Sequence, residues 1–205
     1  YYENALLKLY NVPIFYFPVF FHPDPTVKRR SGFLNPYFSN SSVVGAGIGV
    51  PYYWMIGNDR DLTFTTKTYT NDNPLFLNEY RQAFEKGFLT LDMSHADGHK
   101  DISSRKTGGS RSHIFADLNL DLNDNSNFTV KVERVTNDEY FRTHDINTSL
   151  VNSSETNLTN KINYSYNKNN TSLDISSVVY EDLRKTNDRY EFILPNVLFG
   201  KTFFT

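Results

Sequence analysis

Apolar and polar residues alternate with a period of two along most of this chain, the mark of a strand with one buried face. From His113 to Asn123, Ile114, Ala116, Leu118, Leu120 and Leu122 alternate with Asp117, Asn119, Asp121 and Asn123. The next stretch sets Phe128, Val130 and Val132 against Thr129, Lys131 and Glu133. The joint between them, Asn123 to Asn127, consists of Asn, Asp and Ser, as a hairpin turn requires. Leu89, Leu91 and Met93 interleave with Phe88, Thr90, Asp92 and Ser94, and Leu158, Ile162, Tyr164 and Tyr166 with Thr159, Lys161, Asn163 and Ser165. Lys168-Asn169-Asn170 then turns the chain into Thr171 to Tyr180, and Tyr190, Phe192 and Leu194 oppose Arg189, Glu191 and Ile193. A helical period has little support.

The joints are of two kinds. Some are short and rich in Asn and Asp; others, His95 to Arg111 and Asp138 to Thr156, are long and polar. Strands of about ten residues joined alternately by brief turns and extended loops form the pattern of an outer-membrane barrel. A soluble sandwich, the competing reading, has shorter strands and more even joints. At roughly 20 residues per strand and joint, the chain from Gly32 onward holds about eight or nine strands. An open sheet cannot persist in lipid, because its edge groups have no partners there. The expectation is therefore either closure at eight strands or a chain that continues beyond this one. Tyr1 begins without a signal-peptide pattern, so the sequence reads as an internal fragment.

Composition narrows the function. The 205 residues carry a net charge of −2, which does not suit a binder that neutralises phosphates, so no nucleic-acid partner is expected. The absence of Cys removes disulfides, thiolate metal sites and cysteine nucleophiles. There are 14 Tyr and 17 Phe in a chain whose mean hydropathy is a polar −0.52, so rings are spread among amides instead of joined into apolar blocks. The longest apolar stretch, Val12 to Phe21, is cut by Pro13 and Pro18 and is too short for a membrane helix.

Candidate chemistry is sparse. Gly45-Ala46-Gly47-Ile48-Gly49 lacks dinucleotide-fingerprint spacing and runs into Pro51-Tyr52-Tyr53-Trp54, so it reads as strand glycines that let another group approach. His95, Asp97 and His99 could ligate a metal, but Asp97-Gly98 is a turn dipeptide in a polar loop. Asp59-Arg60-Asp61 reads as a turn leading into Leu62-Thr63-Phe64-Thr65. No G-x-S-x-G elbow or P-loop occurs. Lys28-Arg29-Arg30 and Arg105 to Arg111 are short basic clusters that suit solvent or an anionic lipid surface. No catalytic residue, metal or cofactor is expected. The prolines say more. Pro36 and Pro51 sit inside two consecutive strands, where each removes a ladder donor. They read either as strand-end prolines or as a weak seam at which a closed wall opens sideways.

At these residues the sequence resembles the LptD (OstA) family of lipopolysaccharide-assembly proteins. The likeness runs in order through Val12-Pro13-Ile14-Phe15-Tyr16-Phe17-Pro18, Arg29-Arg30-Ser31-Gly32-Phe33-Leu34 with Pro36, Pro51-Tyr52-Tyr53-Trp54, Asp61-Leu62-Thr63-Phe64-Thr65 and Glu79-Tyr80-Arg81. It implies an all-β fold, with residues 1–30 the last strands of a periplasmic β-jelly-roll and its connection, and residues 31–205 the first part of a very large transmembrane antiparallel β-barrel. It implies a translocon that inserts lipopolysaccharide into the outer leaflet of the cell outer membrane, without covalent chemistry. Lipopolysaccharide and outer-membrane lipid, a plug lipoprotein of the LptE type and a periplasmic bridge protein of the LptA type are the implied partners. The family's two lateral-gate prolines carry over onto Pro36 and Pro51. Val12, Ile14, Phe15 and Phe17 are placed either along the lipid path or in ordinary jelly-roll packing. The lack of Cys departs from the many members that tie jelly-roll to barrel with disulfides. A diffusion porin or receptor barrel, and a soluble sugar-binding sandwich with Tyr platforms, are the alternatives from other classes.

Overall fold

A computed structural model of the chain describes residues 2–20, 29–97, 110–137, 139–185 and 187–203. His99, Lys28 and the basic stretch from Arg105 to Gly109 lie outside the described residues.

β1 (Tyr2–Leu9) and β2 (Val12–Phe20) form a two-stranded antiparallel sheet. Tyr10 and Asn11 join them, both with positive φ (48° and 65°), the backbone that a two-residue hairpin needs. Phe15 and Phe17 pair with Leu7 and Ala5, and Val12 with Leu9. Ile14 falls where the register shifts, between Pro13 opposite Lys8 and Phe15 opposite Leu7.

The second sheet is an antiparallel meander. It begins with two short pieces, β3 (Gly32–Phe33) and β4 (Tyr37–Ser41), that pair with the same neighbour, β5 (Gly45–Met55). There follow β6 (Arg60–Tyr69), β7 (Leu75–Phe84), β8 (Gly87–Asp97), β9 (Ser110–Asn123) and β10 (Ser126–Val135). After a short helix α1 (Tyr140–His144) come β11 (Asn157–Lys168), β12 (Thr171–Asp182) and β13 (Tyr190–Lys201). Each strand pairs with the next in sequence, from β5 through to β13. Among the described residues no pairing joins β13 to β3 or β4, so the sheet is open.

Counting β3 and β4 as one broken strand, the sheet has ten strands, more than the eight or nine expected from sequence. The turns at one end are shorter than assumed. Glu85-Lys86, Asp124-Asn125 and Asn169-Asn170 each reverse the chain in two residues, and Asn169 takes a φ of 52°. The long joints after β8 and β10, and the β4–β5 turn, lie at the opposite end.

The register sorts side chains onto two faces. Trp54, Phe64, Phe76, Ile114 and Ile162 share one face and are all exposed. Such an uncovered row of large apolar groups suits contact with lipid. The other face carries Thr65, Lys67, Asp92, Ser94, His113 and Glu133, all buried.

What buries those polar groups corrects the reading of 138–156 as a polar loop. From Glu139 onward this segment folds onto the polar face, and Tyr140, Phe141, Ile146 and Val151 are at most 3% exposed. They pack with Leu75, Ala96 and Phe115 of the wall and with Leu158 and Leu183. Phe115 and Phe141 meet edge to face at 5.4 Å. The helix is one turn only, closed by Asp145 in the left-handed region (φ 47°) and by the Ile146 N–H to Phe141 C=O bond of 3.0 Å. A five-residue helix has little stability alone, so tertiary burial holds it.

Phe115→Ala is expected to cost about 3–5 kcal/mol of docking. Limited proteolysis within 137–156 of the intact protein should then speed up by about a hundredfold or more. An unchanged cleavage rate contradicts the packing described.

Candidate functional site

The edge of the large sheet is held unequally along its length. At its foot, Asp61 on β6 is only 2% exposed and accepts hydrogen bonds from Arg81 Nε (2.8 Å) and from Arg29 Nη2. One buried carboxylate thus joins β7 to the segment that leads into β3. The Arg29 guanidinium also lies 5.9 Å from the centre of the Tyr53 ring, within cation–π range. Beside this clamp the Met55 N–H donates to Ser31 Oγ at 2.9 Å. Asp61 is therefore a tie between elements, and not the turn residue its neighbours Asp59 and Arg60 suggested.

Higher up, the edge strand breaks. Phe33 pairs with Tyr52 and Tyr37 with Gly49, so Leu34, Asn35 and Pro36 face only Val50 and Pro51. Three residues against two make a bulge, and Pro36 lies in it without an N–H to offer. The Leu34 N–H donates to Pro51 C=O at 2.9 Å. A strand residue points its N–H and C=O toward the same neighbour, so the N–H that Pro51 lacks is missing on the side of the edge strand. The pairing of Pro51 with Thr65 on β6 loses nothing by it.

Beyond the break, β4 is seated by glycines. A Cβ on Gly49 would come within 2.4 Å of Tyr37 Cζ, and one on Gly47 within 2.9 Å of Tyr69 Cδ1. The glycine-rich stretch is what lets two tyrosine rings lie flat over β5.

A fourth cluster joins the docked segment to the wall. Asp92 Oδ1 is 2.9 Å from His113 Nε2, His113 Nδ1 is 2.5 Å from Ser94 Oγ, and Ser94 Oγ is 2.6 Å from the Tyr140 hydroxyl. These are the residue types of a nucleophile triad, but Ser94 and His113 are at most 4% exposed and Tyr140 covers the serine. The arrangement binds α1 to β8 and β9. Sequence reasoning missed it because Asp92, Ser94 and His113 sat at ordinary polar positions of two alternating strands.

The chain matches the LptD protein family over residues 2–204. It is 31% identical to an LPS-assembly protein LptD of Nitrosococcus oceani over 174 residues, which is 82% of this chain and 22% of that protein. It is 37% identical to an LPS-assembly protein LptD of Shewanella oneidensis over 97 residues, covering 46% of this chain and 12% of that one. The chain belongs to the LptD family. It spans about a fifth of the length of the Nitrosococcus relative.

Three of the stretches on which the sequence resembled the LptD family meet at one place in this LptD-family chain. Arg29, Asp61 and Arg81 form the clamp at the foot of the edge strand, and Glu79 Oε1 adds a 3.7 Å contact to Arg81 Nε. Pro36 and Pro51 sit across one ladder from each other. Val12, Ile14, Phe15 and Phe17 all lie in β2, in the separate small sheet. His95 and Asp97 are exposed at the end of β8, with His95 Nε2 3.2 Å from Asp97 Oδ1. Among the described residues no three His, Cys, Asp or Glu side chains are grouped to hold a metal.

Two outcomes follow from this geometry. Asp61→Asn removes the charge shared by Arg29 and Arg81, a loss of about 1.5–3 kcal/mol for hydrogen bonds to a charged group. Amide exchange at Gly32 and Phe33 should rise tenfold or more, to order of magnitude, and unaltered protection there contradicts the clamp. The second outcome concerns pH. Burial pulls the pKa of His144 from 6.5 down to about 4; Asp72 opposes this, while Arg111 and Lys67 reinforce it. An undocked segment takes up the proton near pH 6.5 and the docked one only near pH 4. Docking is therefore intact above pH 6.5 and weakens, by at most about 3 kcal/mol, as the pH falls toward 4. Cleavage within 137–156 measured across that window should increase on acidification; a flat profile contradicts the assignment.

Proposed function

We propose that residues 1–30 end a periplasmic β-jelly-roll, that residues 31–205 begin an outer-membrane β-barrel, and that the whole protein inserts lipopolysaccharide into the outer leaflet by sideways opening of the barrel beside β3 and β4. The observation that carries this reading is the ladder between the edge strand and β5, where the bulge at Pro36 faces the donorless nitrogen of Pro51. In lipid an unpaired backbone group costs several kcal/mol, so a wall is normally paired throughout. A strand with fewer bonds to surrender is the cheapest place to part that wall. Amphipathic cargo can then leave without crossing the membrane headgroups. The relatives' name, LPS-assembly protein, agrees with such a cargo.

In this reading Val12, Ile14, Phe15 and Phe17 of β2 lie on the lipid path that leads to the barrel. A plug lipoprotein fills the barrel and a periplasmic bridge protein delivers lipopolysaccharide to the jelly-roll. The exposed row Trp54, Phe64, Phe76, Ile114 and Ile162 faces membrane lipid. No bond is made or broken. The protein lowers the barrier for moving a charged, sugar-bearing lipid from the periplasmic side into the outer leaflet, and the work of transport is done elsewhere. A diffusion porin or receptor barrel would share the strands but would have no use for prolines on both sides of one ladder.

Pro36→Ala combined with Pro51→Ala restores up to two donors to the seam. Surface delivery of lipopolysaccharide by cells carrying the intact double variant should slow several-fold, since each regained bond is worth about 1 kcal/mol. Delivery at the normal rate sinks the gate reading.

A further inference from the structure

We infer that Lys67 is a positioning residue that latches β4 to the docked 139–151 segment, so that the edge strand is free to move only when that segment lifts. The inference rests on the sideways-opening reading and names what regulates the same seam.

The edge strand has two fixed points with a weak middle. Its foot is held by the Arg29–Asp61–Arg81 clamp. Its middle is the bulge at Leu34 to Pro36, and behind that lies a cavity of about 430 Å3 bordered by Leu34, Tyr37, Pro51, Lys67 and Ile146. The middle therefore has little packed against it. The far end, β4, is five residues long and, among the described residues, pairs with β5 alone. Lys67 is what fastens it inward. Its side chain starts from β6 on the polar face, opposite Gly49 and Leu75. Its Nζ donates to the His144 C=O at 3.0 Å in a buried position. The same ammonium lies 5.8 Å from the centre of the Tyr37 ring on β4 and 5.4 Å from that of Tyr69. One buried cation thus bonds the last residue of α1 and attracts the first residue of the moving strand.

The chain of contacts continues away from the seam. The Tyr69 hydroxyl also reaches the His144 C=O, at 3.4 Å. Ser149 Oγ donates to Glu79 Oε2 at 2.7 Å, and Tyr140 joins Ser94 at 2.6 Å. The segment that leaves the sheet between β10 and β11 is therefore strapped across β8, β7 and β6 to reach β4. Lifting it removes the carbonyl that holds the ammonium in place. A buried lysine without that acceptor draws toward solvent or the remaining carboxylates, and its hold on the Tyr37 ring goes with it. The glycine at position 49 then matters twice, because only a strand without a Cβ lets Tyr37 sit where the ammonium can reach it.

The test is hydrogen–deuterium exchange of the 37–41 amides in the intact protein in outer-membrane vesicles, restricted to the correctly assembled fraction. Lys67→Met should speed exchange at 37–41 about tenfold, the loss of one charge-assisted bond, and Lys67→Arg, which keeps a donor and a cation, should restore protection. Phe141→Ala loosens the segment from His113 and Phe115 on β9, with four strands between it and β4, and should also raise exchange at 37–41. This second variant keeps Lys67 and Tyr37, so it answers the question even if Lys67→Met fails to assemble. Unchanged exchange at 37–41 in Phe141→Ala overturns the latch. The exchange readout needs no lipopolysaccharide. A latch that fails while Pro36→Ala with Pro51→Ala still slows delivery leaves the gate standing; faster exchange with unaffected delivery in that proline pair keeps the coupling and removes the gate.

Discussion

Backbone pairing is the constraint on which everything else in this molecule depends. One face of the sheet carries uncovered Trp54, Phe64, Phe76, Ile114 and Ile162, and in the proposed barrel, where that face meets lipid, no water replaces a missing partner. From β5 to β13 every strand meets its neighbour in a long antiparallel ladder. A bulge at Pro195 interrupts the β12–β13 ladder. At the β3–β4 edge the molecule gives up bonds through a bulge at Pro36 and a proline nitrogen at position 51 that is turned toward it. The loss is local because the opposite side of Pro51 is undisturbed. It sits between two fastenings of a different kind, a carboxylate shared by two arginines below and a lysine amine shared by a carbonyl and a ring above.

The polar face of the sheet is dry although it carries charged and polar side chains. Asp92, Ser94, His113 and Lys67 would be solvated in an open barrel wall, yet here they lie under a one-turn helix and its flanking loop. Their hydrogen-bonding needs are met largely by that segment and by one another, which is why Tyr140 ends the Asp92–His113–Ser94 series. Buried polar groups of this kind tolerate one arrangement and penalise others. The segment is thereby placed accurately although its helix is too short to persist alone. Because the same segment reaches Glu79 and Lys67, its position is also a statement about the seam.

Much of this was legible in the chain and some was not, for physical reasons. The strands follow from alternation, and the tight turns at 124–125 and 169–170 from their Asn and Asp content, with Asn169 taking a positive φ. The LptD resemblance was legible as five ordered motifs, and the family match over residues 2–204 agrees with it. The docked segment was not. Its buried residues, Tyr140, Phe141, Ile146 and Val151, are set among Asn, Asp, Ser and Thr with no period, and only the presence of a wall gives them something to pack on. One hint was available: Ala96 and Phe115 are apolar at positions whose strand neighbours on that face, Ser94, His113 and Asp117, are polar or charged. Asp61 was hidden by its company, since Asp59-Arg60-Asp61 is typical turn composition and the partners that bury it lie 32 and 20 residues away.

In the proposed route lipopolysaccharide leaves beside the broken edge strand. A photo-activated crosslinking residue placed at Leu34, next to the bulge, and separately at Ile162, on the exposed apolar face of β11, tests this. In cells actively delivering lipopolysaccharide through the intact protein, a lipopolysaccharide adduct is expected at position 34 and little or none at 162. Equal labelling at the two positions, or labelling at 162 alone, would contradict it.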